Sequence, residues 1–156
     1  MPPHLKQQCD AQIKQWLKQD VIEPANSPWG FNLVPVARKA NINAPEAEKS
    51  WRFCVDLRPL NRLLKIPARQ IANMNEKLAL MKSAEGKYTL FCSIDFKNAF
   101  ESMKIWWADR PKTAFVTDKM QYQMKRMPFG LASAPQIFHE LVQVLEEELQ
   151  RKDSSL

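Results

Sequence analysis

The sequence predicts an α+β fold, with helices and antiparallel hairpins segregated along the chain. Three observations predict it. Apolar residues recur at helical spacing near both ends, and short runs rich in β-branched and aromatic residues fill the middle. Eleven prolines against three glycines punctuate the chain with extended segments and rigid turns. Apolar residues make up 45% and charged residues 26%, which is the composition of a globular chain and not of a disordered one.

Leu5, Cys9, Ile13, Trp16 and Leu17 share one helical face, so residues 4–19 read as a helix. Pro24 and Pro28 force extended or turn geometry through Val21–Gly30. Phe31–Ala37 reads as a strand that Pro35 confines to an edge, and Trp51–Leu57 as its hairpin partner across a polar turn. Arg58–Arg69 reads as connector, with Pro59 and Pro67 breaking any helix. Met74, Leu78 and Met81 predict a helix over 71–84, ended by Gly86.

Tyr88–Phe96 has the pattern of a central strand covered on both faces, closed by Asp95. By itself Asp95 reads equally as a strand-end cap. Lys112–Val116 and Met120–Arg126 are expected strands joined at Thr117–Lys119, and 127–130 a turn. Ser133 and Gln136 form a Ser-x-x-Gln capping pattern ahead of a helix reaching about Gln150. That helix is expected to bury Ile137, Phe138, Leu141, Val142, Leu145 and Leu149.

The net charge is +6 and unevenly placed: residues 140–156 carry −3, so residues 1–139 carry +9. A basic body suits a polyanionic partner, although a solvated basic surface explains the charge equally well. No run of about 18 apolar residues occurs, so no transmembrane helix and no membrane partner are expected. The N-terminus lacks an apolar signal-like stretch, and three widely spaced cysteines fit no disulfide framework. An intracellular location, cytoplasmic or nuclear, is the expectation.

Four segments in order carry a family pattern: VIEPANSPWGFNLVPVARK (21–39), WRFCVDLRPLN (51–61), SIDFKNAF (93–100), and PKTAF with MPFGLASAPQIF (111–115, 127–138). Together they resemble the reverse transcriptases of gypsy-type LTR retrotransposons, with retroviral Pol enzymes more distant. The resemblance runs from about Ala11 to Glu146 and implies the fingers and first palm portion of a right-hand polymerase. Its divisions would be 1–71 and 103–133 for the fingers, 72–102 for the first palm part, and 134–156 for a palm helix and tail.

The parent activity is RNA-directed DNA polymerisation, in which two divalent metals about 3.5–4 Å apart assist nucleotidyl transfer. Hard Mg²⁺ ions need carboxylate and phosphate oxygens. The resemblance puts Asp95 at the first metal-ligand position and the Phe96 backbone carbonyl beside it. It places Arg52, Lys39, Ala99, Phe100, Phe129 and Gly130 around an incoming deoxynucleotide. Arg52 would grip the triphosphate as a planar fork. Phe100 would exclude a 2′-hydroxyl, although its spacing alone reads as a core aromatic. The implied partner is an RNA or DNA template-primer.

The sequence departs from the family pattern in several places, of which two matter most. Glu101-Ser102-Met103 stands where the family usually has histidine and glutamine before an aliphatic residue. The aromatic-x-Asp-Asp hairpin that completes the metal site is missing: the sequence ends 61 residues after Asp95 and contains no Asp-Asp dipeptide. The expectation is a fragment of a retrotransposon-derived enzyme, inactive alone, that self-associates or needs the remaining Pol chain. The alternative is a non-catalytic nucleic-acid-binding or protein-interaction module retained from a retroelement.

Overall fold

The computed structural model of the chain describes residues 3–37, 50–66, 79 and 94–153. Helix α1 spans Pro3–Lys18 and buries Leu5, Cys9 and Ile13, spaced four apart. Leu17, expected on that face, is 39% exposed in the last turn. The helix stops at Asp20, whose φ of 57° is left-handed. There the Val21 N–H donates to the Trp16 carbonyl and the Asp20 N–H to that of Leu17, the paired bonds of a Schellman cap.

Strand β1 (Ile22–Pro24) follows at once and pairs antiparallel with β5 (Gln121–Met124), Ile22 opposite Met124. Strand β4 (Phe115–Val116) flanks β5 on its other side, giving the order β1-β5-β4. A separate hairpin joins β2 (Leu33–Ala37) to β3 (Trp51–Val55), from Leu33 opposite Val55 to Ala37 opposite Trp51. The run expected as one strand from Phe31 therefore serves two sheets. Phe31 bridges to Phe115, and Leu33 onward pairs with β3. One apolar cluster joins α1 to both sheets, with Phe53, Leu57 and Phe115 the largest of its fully buried side chains.

Pro35 sits inside β2 without breaking it. It faces Phe53, whose N–H and carbonyl both turn away from β2 toward α1. That position is therefore a non-hydrogen-bonded pair, and the donor that proline lacks is not needed there.

Several expectations change. Arg58–Asn61 forms one helical turn, α2, where a connector was expected, because Pro59 falls in its first turn and loses no hydrogen bond there. Lys112 and Thr113 belong to a 3₁₀ turn, Arg110–Thr113, that starts the segment expected as strand. Helix α3 runs Ala134–Asp153, further than expected.

Its apolar stripe is not buried: Leu141 is 38%, Leu145 43% and Leu149 62% exposed. The small cluster at its foot, around Met103, Met127 and Ala134, reaches only as far as Phe138. The expected 71–84 helix lies outside the described residues except for Ala79, which is helical. Of the expected Tyr88–Phe96 strand only Ile94–Phe96 is described, and these three are irregular and exposed. No helix among the described residues is long and apolar enough to cross a membrane.

Candidate functional site

Strand β3 alternates between two faces. Phe53 and Val55 point into the core, which turns Arg52 outward. Its free edge is sealed by α1. The Trp51 N–H donates to Gln8 Oε1 at 3.1 Å, the Phe53 N–H donates to Gln12 Oε1 at 3.0 Å, and Gln12 Nε2 donates to the Phe53 carbonyl at 2.9 Å. These two glutamines hold the strand that carries Arg52 against the helix. With Gln15 and Gln19 they form one wall of a cleft of about 430 Å³.

The opposite wall comes from two later segments. Residues 103–105 pair with 125–127: the Ile105 N–H donates to the Lys125 carbonyl at 2.9 Å, and the Met127 N–H to that of Met103 at 2.9 Å. This brings the 3₁₀ turn Phe100–Ser102 beside the turn at Phe129. The Phe100 and Phe129 rings meet edge to face at 5.5 Å, and Phe138 of α3 meets Phe100 at 6.1 Å and Phe96 at 5.5 Å. Arg52, Asn98, Glu101 and Phe129 line the cleft together.

The remaining predicted residues are distributed as follows. Lys39 lies outside the described residues. Asp95 is exposed and is not among the lining residues of this cleft. Ala99 is half-buried ahead of the 3₁₀ turn, and its carbonyl accepts the Ser102 hydroxyl at 2.6 Å. Gly130 has a φ of 89°, a conformation that glycine adopts without strain.

Sequence reasoning missed Asn61, which clamps the Gly130 turn, because no local signal announces a partner 69 residues away. It also missed the α1 glutamines, whose helical spacing reads as a solvated face.

Two cavities adjoin or mirror the cleft. One of about 300 Å³ is lined by Gln19, Lys97, Glu101 and Arg126 among others, so Glu101 belongs to both. Burial pushes the Glu101 carboxyl up, and a hydrogen bond with Asn98 opposes the rise. Burial also raises the Cys54 thiol against the pull of Arg52, which leaves it a poor nucleophile. A larger cavity of about 600 Å³ lies between α1, β2 and the β4–β5 turn. It contains none of the predicted residues, and its charges are paired crosswise, Lys6 with Asp118 and Asp10 with Lys119.

Among the described residues no group of three or more His, Cys, Asp or Glu side chains could hold a metal ion. One exposed carboxylate and a neighbouring carbonyl do not fit two divalent cations.

A mixed helix and antiparallel-strand body that brings Arg52 and Phe129 to one cleft has the fold of a polymerase domain. Residues 38–155 match the family model of reverse transcriptase (RNA-dependent DNA polymerase), and the chain belongs to that family. It is similar to the retrovirus-related Pol polyprotein from transposon opus of Drosophila melanogaster, 32% identical over 95% of this chain and 14% of that polyprotein. It is also similar to the genome polyprotein of Petunia vein clearing virus, 33% identical over 89% of this chain and 6% of the relative.

Among solved structures, the prototype foamy virus protease-reverse transcriptase matches with a TM-score of 0.70 and 25% identity, over 94% of this chain and 18% of that one. The foamy viral enzyme in complex with an RNA/DNA hybrid shares the fold, at TM-score 0.65 and 22% identity over 91% of this chain and 18% of that one. The chain thus spans a small part of the relatives that it matches, as a reverse transcriptase segment of the kind found in retroelement Pol polyproteins.

Proposed function

We propose that this chain supplies the fingers (1–71 and 103–133) and the first palm parts (72–102 and 134–156) of an RNA-directed DNA polymerase. In this reading Arg52 grips the triphosphate of an incoming deoxynucleotide, assisted by Lys39. Phe100, backed by Phe129, sets the floor under the sugar beside Ala99 and Gly130. The observation that carries the reading is that Arg52 and Phe129, predicted from motifs far apart in sequence, line one cleft.

Asp95, with the Phe96 carbonyl, would be the part of a Mg²⁺ site that this chain contributes. A single carboxylate leaves two divalent ions uncompensated, so the 156-residue chain does not polymerise by itself. The template-primer partner is supported by foamy viral relatives solved with double-stranded DNA and with an RNA/DNA hybrid. Work on such a template implies an intracellular location, cytoplasmic or nuclear.

A second reading, a non-catalytic nucleic-acid-binding module, is favoured by the +9 charge of residues 1–139, which acts whether or not chemistry follows.

Titration of the purified chain with a fluorescent deoxynucleoside triphosphate tests the first reading. Arg52→Ala is expected to weaken binding about tenfold or more, the loss of one charge-assisted bidentate contact. Unchanged affinity would remove Arg52 from the site. Primer extension on a primed RNA template with Mg²⁺ or Mn²⁺ is expected to stay at background. Incorporation that disappears in Asp95→Asn would show that the chain is active alone.

A further inference from the structure

Glu101 is the one acidic residue among the described lining of either adjoining cleft. The other charged residues there are cations: Arg52 in the larger cleft, Lys97 and Arg126 in the smaller. Glu101 therefore stands where the two clefts meet. Its backbone is fixed by the 3₁₀ turn Phe100–Ser102, and Asn98 in left-handed conformation (φ 52°) carries a side chain that hydrogen-bonds the carboxylate. Among the described residues the carboxylate forms no ion pair, although three cations share its two clefts. A half-buried carboxylate held in this way contributes little to stability. Its field falls on whatever anion enters.

We propose that the Glu101 carboxylate, standing at the junction of the two clefts, sets how tightly this cleft takes a triphosphate. It occupies the cationic junction when no ligand is present and opposes the phosphates when one enters. This rests on reading the cleft as nucleotide-facing. Binding should then be weaker than the cations alone would give, and it should take up a proton at Glu101, because the incoming anion stabilises the neutral carboxyl.

Three other charged groups face the two clefts that Glu101 lines. They are Arg52 on β3, Lys97 in the preceding turn and Arg126 after β5, and α1 presents no charged side chain to either cleft. The Cys54 thiol remains neutral. Burial of the Glu101 carboxyl shifts the change upward from the ordinary glutamate value.

The test titrates the full chain with a fluorescent deoxyadenosine triphosphate from pH 8 to pH 5, for wild type, Glu101→Gln and Glu101→Asp. Inorganic tripolyphosphate serves as competitor. Glu101→Gln is expected to bind about three- to tenfold tighter at pH 8, the effect of one nearby charge. The gap should close as pH falls and the wild-type carboxyl becomes neutral. Glu101→Asp, which keeps the charge, should remain close to wild type, and tripolyphosphate should reproduce the differences. Glu101→Ala provides a second uncharged variant should Glu101→Gln not fold.

Equal affinities and parallel pH profiles for wild type and Glu101→Gln would overturn the role of Glu101 while leaving the nucleotide cleft in place. No binding by any variant at any pH would overturn the nucleotide reading and this inference with it.

Discussion

The side chain of Asn61 holds the Gly130 turn from both sides. Its Nδ2 donates to the Gly130 carbonyl at 2.8 Å, and its Oδ1 accepts the Ala132 N–H at 2.9 Å. An amide is the smallest group that can donate and accept along one edge. One residue at the end of α2 thus ties the segment that follows Arg52 to the turn bearing Phe129, and its two hydrogen bonds add to those that hold the walls of the cleft.

Asn61→Ala should therefore lower stability by about 1–2 kcal/mol, the usual net worth of two such bonds. Asn61→Asp should cost at least as much, because a second carboxylate oxygen would face the Gly130 carbonyl. Urea denaturation midpoints check both. Nucleotide affinity should fall in parallel, as Phe129 loses its fixed position.

Gly130→Ala should cost about 1–2 kcal/mol from backbone strain at its positive φ. Steric clash makes no contribution, since a Cβ there would meet nothing within 4 Å. Gly30→Ala is a different case. Its added Cβ would lie 3.1 Å from Val116 Cγ2, and Val116 is half-exposed and free to give way. The Gly30 variant should melt close to wild type and the Gly130 variant clearly below it.

Hydrogen bonds from the Arg58 guanidinium, with Nε at 2.8 Å and Nη2 at 2.7 Å, hold the Asp56 carboxyl at about 2, against the ordinary 3.8. A carboxyl held low when folded adds stability that is present above 3.8 and lost as pH falls toward 2. Wild type should lose more stability than Asp56→Asn between pH 4 and pH 2. Acid titration followed by circular dichroism would reveal identical profiles if the pair contributed nothing.

Nucleic-acid binding should be weak, independent of sequence and steep in salt. Counterion release predicts a loss of roughly tenfold or more between about 50 and 200 mM salt for a protein that neutralises several phosphates. Affinity for an RNA–DNA hybrid that did not change over this range would contradict the electrostatic account of the basic body.

Helix α3 should drive association. Val144, Leu145 and Leu149 are 55%, 43% and 62% exposed on one helix, and each large apolar side chain covered contributes about 1.5–3 kcal/mol. Sedimentation is expected to show concentration-dependent self-association that Leu145→Glu reduces. A monodisperse monomer at high concentration would leave the stripe without a role in assembly.

Local patterns were legible in the sequence wherever one element decides its own shape. The α1 spacing, the β2–β3 hairpin, the Gly130 turn and the start of α3 follow from period, proline placement and capping chemistry, which act over a few residues. The family was legible too, since its motifs are contiguous.

The tertiary structure alone decided which groups meet across long separations. Asn61 reaches Gly130, Gln8 and Gln12 close the β3 edge, and Glu101 shares its clefts with Arg52, Lys97 and Arg126. It also decided what is covered, leaving α3 exposed beyond Phe138 although its periodicity promised burial. Periodicity gives a helix a face; burial of that face requires a neighbour, and no residue of α3 encodes the presence of one.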